Sequence, residues 1–392
     1  MRPASLSETV FLQIVLCLAL TYSVKSQGLC QNFYFVLNNH VVDGHALEGH
    51  VVQRRTVNTA AQCHVMCKDN CQCVSFNYLP SDQENNCELN DANKVMKPDA
   101  LKVKSRAQYY GLVRSYIMES GKKYTPEKDR CVNRCCQPNP CFHEGSCQEI
   151  CDPIGARFNC TCPANYVGTR CELRCYSSCK DVFQNNVTKS GRYVICDGQQ
   201  LPFYVYCDME SDPKFLWTLI QTFSLSHKHL FENKPFVMNH PINMKSWNVN
   251  WTAYRLSLPQ MQYLKKQSTR LRVTCNFANE GLVYTDYAIA PLQQHRLFSI
   301  FSHQCKWYYH LNIRGIQCSA CTAVTNQREG RSWFINSYAS KYEAGCTFDG
   351  RPGMRKQEHN FGWYRDGRIN SKHRCSSSLS STTEHWLGIS NS

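Results

Sequence analysis

The chain is 392 residues long, with 44 basic against 30 acidic side chains, a formal net charge of +14 and 26 cysteines. Its length suits two or three domains. Its cysteines would mean zinc sites in a reducing cytosol but disulfides outside the cell. For an exported chain, this charge points away from nucleic acid and toward anionic glycans, acidic matrix proteins or charged mineral surfaces.

The first residues favour export. Arg2 gives a positive start, Val10 to Leu20 form an apolar run broken only by Gln13, and the small Ser26 follows. This is the pattern of a signal peptide over residues 1–26, and the run is about half the ~20 apolar residues of a spanning helix. No later stretch is apolar enough to span, so the mature protein is expected to be soluble and secreted. Cys17 leaves with the peptide, and the 25 cysteines that remain are an odd number. At least one thiol is therefore expected to stay free or to pair with another chain. Cys318 and Cys321 are spaced like half a zinc ribbon, but no matching second pair follows, so disulfides are the expectation there and no metal or cofactor is assigned.

The cysteines fall into three blocks: six from Cys30 to Cys87, nine from Cys131 to Cys171 and ten from Cys175 to Cys375. In the first, Thr59-Ala-Ala-Gln62 reads as a capping box that opens a helix. Cys63 and Cys67 then lie four apart on one helical face. Cys71-Gln-Cys73-Val-Ser-Phe-Asn-Tyr alternates like a strand, and Cys87-Glu-Leu89 follows. Residues 29–111 resemble the PAN/apple family, an α+β module. The resemblance implies bridges Cys63 to Cys87 and Cys67 to Cys73, leaving Cys30 and Cys71, whose pairing stays open. Within this module Leu101-Lys-Val-Lys-Ser-Arg-Ala alternates with period two. A strand there would send Lys102, Lys104 and Arg106 to one face and Leu101, Val103 and Ala107 to the core. From Lys94 to Arg134 there are eleven basic residues against four acidic ones. A sulfated polyanion would pair with such a row; an outward lysine row also guards a strand edge from aggregation. Residues 112–130, polar and free of cysteine, read as a linker.

The second block contains Cys136-Gln-Pro-Asn-Pro-Cys141-Phe-His-Glu-Gly-Ser-Cys147 and Cys160-Thr-Cys162-Pro-Ala-Asn-Tyr166-Val-Gly168-Thr-Arg-Cys171. About forty residues cannot bury enough apolar surface to fold without staples. Residues 131–172 resemble a small β EGF-like module, which implies bridges Cys136 to Cys147, Cys141 to Cys160 and Cys162 to Cys171. Asn165 stands where that family usually has glycine, and asparagine tolerates the left-handed conformation. Asn133 and Arg134 replace the acidic residues of calcium-binding members, so calcium is not expected. Cys131, Cys135 and Cys151 are extra to the pattern, and the odd thiol is expected among them.

The third block opens Cys179-Lys-Asp-Val-Phe and continues Tyr204-Val-Tyr206-Cys207-Asp-Met-Glu210 to Trp217. Residues 175–392 resemble a divergent fibrinogen C-terminal-like domain. The resemblance implies an α+β fold and a Cys179 to Cys207 bridge, while the pairing of Cys175, Cys196 and the later cysteines stays open. The acidic calcium loop of that family is not evident, since Glu329 and Glu343 are the acidic residues between Cys321 and Cys346. Trp307, Tyr308, Tyr309, Trp333, Trp363 and Tyr364 read either as a sugar-stacking cleft or as core. Arg351 to Arg374 is a second basic cluster.

No Gly-x-Ser-x-Gly elbow, His-Glu-x-x-His helix or phosphate loop is present, so catalysis is not expected. Asn159, Asn186 and Asn250 open glycosylation sequons. The expectation is a disulfide-rich α+β multidomain protein that recognises matrix or cell-surface protein or glycan, with the EGF-like module as a stiff spacer. The rival is a cross-linked structural component of extracellular matrix, including that of a mineralised skeleton.

Overall fold

The computed structural model describes residues 41–116, 122–244, 248–338, 345–355, 358–364 and 366–391. The signal peptide expected over 1–26 and Cys30 lie outside them. The chain divides into two compact units, Met1–Pro163 with Thr169–Cys171, and Ala164–Gly168 with Glu172–Ser392.

In the N-terminal unit, strands β1 (Val41–Leu47), β2 (Val51–Arg55), β3 (Ser75–Tyr78), β4 (Cys87–Asn90) and β5 (Leu101–Gly111) form one antiparallel sheet in the order β1-β5-β3-β4-β2. Helix α1 (Ala60–Asp69) packs against it. Thr59 caps the helix by accepting the Gln62 N–H at 3.3 Å, and the Gln62 side chain reaches back to the Asn58 N–H at 2.7 Å. Only Cys63 and Cys67 of this helix are buried, too little apolar area to dock it unaided. Bridges Cys63–Cys87 and Cys67–Cys73 dock it to the sheet side, the first closing a loop worth about 3 kcal/mol.

The rest of this unit holds the short hairpin β6 (Ser146–Glu149) and β7 (Phe158–Thr161). It is closed by Cys131–Cys151, Cys136–Cys147, Cys141–Cys160 and Cys162–Cys171. Cys71 joins Cys135 across 64 residues. The expectation of a free thiol among Cys131, Cys135 and Cys151 is therefore corrected: all three are bridged, and Cys71 cannot pair with Cys30. All 24 cysteines from Cys63 onward lie in the twelve bridges, and the other two, Cys17 and Cys30, lie outside the described residues.

The first part of the expected linker is packed. Leu112, Arg114 and Tyr116 are buried. The Arg114 guanidinium donates to the Cys73 carbonyl and to the Gly155 carbonyl, and its own N–H donates to the Pro153 carbonyl at 2.7 Å. Arg157, also buried, donates to the Lys68 carbonyl at the end of α1 at 2.9 Å. Asn93 donates to the Ile154 carbonyl at 2.6 Å. These bonds satisfy backbone groups that would be costly to bury unpaired, and together with Cys71–Cys135 they tie residues 131–163 to the first sheet. The segment is not a hinged spacer.

In the C-terminal unit, β8 (Tyr166–Val167) pairs with β9 (Leu173–Arg174), and α2 (Cys179–Gln184) follows, capped by Ser178. The main sheet runs β10 (Gly191–Cys196), β11 (Pro202–Asp208), β12 (Phe215–Ser224), β21, β14, β15, β16, β17, β18, with β13 (Ala253–Arg255) beside β12. Here β14 is Arg270–Cys275, β15 is Tyr287–Pro291, β16 is Phe301–Ile313, β17 is Ile316–Arg328 and β18 is Arg331–Ile335. The C-terminal β21, Thr382–Ser390, lies between β12 and β14. Helix α3 (Leu258–Lys265) starts at Ser257, whose N–H bonds the Gln260 side chain at 3.0 Å. Bridges Cys175–Cys196, Cys179–Cys207, Cys275–Cys375, Cys305–Cys346 and Cys318–Cys321 close the loops. Trp217, Leu219, Tyr254, Tyr308, Trp333 and Trp386 are core residues.

One basic side chain sits deep in that core. Arg272 is fully buried, lies 4.5 Å from both the Trp217 and Trp386 rings, and donates to Asp208 at 2.7 Å. Paired charge and aromatic faces compensate its lost hydration.

Candidate ligand-binding surface

The lysine row lies on β5, and its geometry departs from the alternation expected of it. Leu101, Lys102 and Val103 pair with Leu47, Ala46 and His45, but the next paired residue opposite Asp43 is Gln108. Residues 104–107 face only Gly44 in the register, so this segment bulges, with Arg106 in the left-handed region at φ 63°. The bulge also lies beyond the reach of β3, which pairs with residues 108–111.

Every residue from Lys102 to Arg106 is exposed, and Val103 is 81% exposed. The expectation that Val103 faces the core is therefore wrong. The ladder breaks immediately after Val103, and the small buried cluster nearby, Ala46, Leu79 and Ala107, does not include it. Lys102, Lys104 and Arg106 do reach solvent, and among the described residues no carboxylate lies within 4.0 Å of them.

A neighbouring turn adds to the same end of the sheet. Asn93 accepts the Val95 and Met96 N–H groups, both at 2.9 Å, and the Lys94 N–H donates to the Tyr109 hydroxyl at 2.9 Å. Val95 and Met96 are left 62% and 43% exposed, and Lys97 is exposed beside them. Sequence reasoning missed Val95, Met96 and Val103 as surface features.

Other expected sites fare differently. Tyr308, Trp333, Trp363 and Tyr364 are buried, and Trp307 and Tyr309 are half-buried with rings 4.5 Å apart, so the six do not gather into one open cleft. Asn159, Asn186 and Asn250 are exposed, and the Thr252 hydroxyl donates to the Asn250 carbonyl oxygen at 2.7 Å. Asn165 takes φ 65°. Among the described residues the cluster with metal-ligand geometry is Cys275, His373 and Cys375, and both of its sulfurs are consumed in a disulfide. A cleft of about 600 Å³ in the N-terminal unit is lined by Arg55, Asp69, Arg134, Phe158 and Arg170 among others. Arg170 there is spent on its own walls, donating to the Pro140 carbonyl at 2.7 Å and to Gln72 at 3.2 Å.

Residues 30–114 match the PAN domain family. Over this segment the chain is similar to PAN domains. Its upper limit takes in Leu112 and Arg114, the buried residues that composition alone assigns to a linker. A stretch of 124 residues, 30% of this chain, is 28% identical to Contactin-associated protein 1 of Rattus norvegicus, and the Mus musculus protein matches equally. The match spans about 8% of the length of those relatives. The bulged tip at Lys102–Arg106 lies within the residues that match the PAN domain family.

Proposed function

We propose that this chain is a secreted, non-catalytic recognition protein whose PAN domain presents a cationic tip to anionic extracellular ligands. The observation that carries it is the set Lys102, Lys104 and Arg106, exposed together on a bulge and unopposed by carboxylate among the described residues. Holding long cations apart from acids has no stabilising value for a fold; it raises the local potential that steers and holds an anion. The unit that resembles fibrinogen C-terminal-like domains contributes a second surface for protein or carbohydrate, and the name of the matched relatives favours a protein partner for the chain. The EGF-like segment acts as a rigid extension of the PAN domain. The test is retention of the purified protein on immobilised anionic glycans, matrix proteins and anionic vesicles across a salt series. Binding that weakens with salt and is lost in the Lys102/Lys104/Arg106 triple alanine variant supports the reading; no anionic ligand bound at physiological salt sinks it.

A structural matrix role is the second reading. It is favoured by the twelve bridges, which take in every cysteine except Cys17 and Cys30. Thiol-blocked samples run on gels with and without reductant decide it. A ladder that collapses on reduction favours interchain cross-linking, and a single monomer band removes it.

A further inference from the structure

The PAN tip carries more than positive charge. Val103 stands between Lys102 and Lys104, and Val95 with Met96 stands between Lys94 and Lys97, so each apolar protrusion is flanked by lysines. Both protrusions spring from one small cluster in which Leu47, Ala92 and Tyr109 pack with Ala100 and Leu101. Six residues separate Met96 from Val103, and three of them form the tight turn Pro98–Ala100, which keeps the two within about 20 Å. Asp99 is the acidic residue in the stretch from Lys94 to Arg106.

A soluble sulfated chain pairs with cations and gains nothing from a valine at 81% exposure. A lipid surface uses both: its anionic headgroups attract Lys and Arg, and its acyl boundary accepts apolar side chains a few ångströms below the headgroups. Val103 is the last residue in register before the bulge, opposite His45, and stands exposed between two cations.

We propose that this tip docks the PAN domain onto an anionic phospholipid surface, with Val95, Met96 and Val103 entering the headgroup layer and Lys97, Lys102, Lys104 and Arg106 engaging lipid phosphate and carboxylate. The inference rests on the cationic-tip reading above and names its ligand class.

The experiment is flotation of the purified full chain with phosphatidylcholine vesicles, with and without phosphatidylserine, in parallel with retention on heparin. Binding should require phosphatidylserine and fall with salt. Val103→Ser and the double change Val95→Ser with Met96→Ser, which remove apolar area without altering charge, should each weaken vesicle binding about fivefold or more and leave heparin retention near wild type. Lys102→Ser and Lys104→Ser should weaken both, by about fivefold per lysine on vesicles. These side chains are exposed, and an unchanged melting curve establishes that each variant is folded. Vesicle binding unchanged by Val103→Ser and by the Val95→Ser/Met96→Ser pair overturns the inference, because cations alone would then explain it. Heparin retention without vesicle binding also overturns it and leaves the cationic-tip reading standing. Failure on both surfaces removes the two together.

Discussion

The tip of the PAN domain and the segment from Arg351 to Arg374 are both rich in cations, yet the fold uses them in different ways. In the C-terminal unit the carboxylates come to the cations. Arg351 is held by Asp349 at 2.9 and 3.0 Å, Arg368 lies 3.5 Å from Asp366, and Arg374 donates to Glu280 at 2.7 Å and to the Thr285 and Cys275 carbonyls. Arg314 reaches Glu358 at 3.4 Å, and Arg272 is sealed against Asp208. Lys356 and Arg365 lie outside the described residues, and Arg355 and Lys372 of this segment have no carboxylate within 4.0 Å of their side chains among the described residues, so the difference is one of degree. On the PAN tip none of Lys102, Lys104 and Arg106 has such a partner among the described residues. A count of charges along a chain therefore says little about surface potential until the fold shows which acids are brought to which bases.

Acid should break the C-terminal unit most strongly. His373 and His385 are buried and their rings are held down to about 3, and burial holds His295 down to about 4. All three are neutral in the fold, whereas the unfolded chain protonates them near the ordinary value of 6.5. The unfolded chain then binds more protons, so stability falls as pH drops from about 6.5 toward 4. Burial acts on Glu384 in the opposite sense, raising its carboxyl to about 7 from the ordinary 4.5. Its contribution falls as pH rises through that window, and burial raises the Asp286 carboxyl in the same sense; the three buried histidines, with His240 and His310 also lowered by burial, outnumber these two. Tryptophan-fluorescence melts should show a lower midpoint at pH 4 than at pH 7; equal midpoints would contradict the burial of these rings.

Arg272→Met comes next, since it leaves Asp208 buried and unpaired. The expected loss is about 3–5 kcal/mol by denaturant unfolding, and a change within about 0.5 kcal/mol would show that the pair is not sealed. Arg374→Ala removes bonds to two carbonyls and to Glu280 and should cost about 1–3 kcal/mol. The smallest effect belongs to the other side of the comparison. Lys104→Ala should leave stability within about 0.5 kcal/mol while weakening retention on an anionic matrix. A large loss of stability there would mean that the tip cations are structural after all.

Part of this was legible from spacing. Cys63 and Cys67 share a helical face because four residues make about one turn, and Thr59 with Gln62 marks where that helix opens. Bridges inside a module link cysteines that local structure already holds close. Cys71 and Cys135 had no such signal, because 64 residues of intervening chain leave their meeting to tertiary packing. The burial of Arg114 was hidden for a related reason: its partners are backbone carbonyls, which no side-chain pattern announces. Val103 misled because alternation assumes an unbroken ladder, and the register skip between Asp43 and His45 breaks it. The aromatic cleft dissolved because large rings are the cheapest filling for a ten-stranded sheet, and Trp333 and Tyr364 were needed inside.

The Cys71–Cys135 bridge also has a bearing on time. As the chain enters an oxidising compartment, Cys63, Cys67, Cys73 and Cys87 can find their mates within the first hundred residues, but Cys71 must wait until Cys135 has been delivered. Through that interval it is a thiol between two half-formed bridges, open to exchange with its neighbours. Maturation of the first module is thus coupled to synthesis of the second. A recombinant fragment ended at residue 114 would carry that unfinished thiol permanently, so the smallest piece worth producing runs through Cys171.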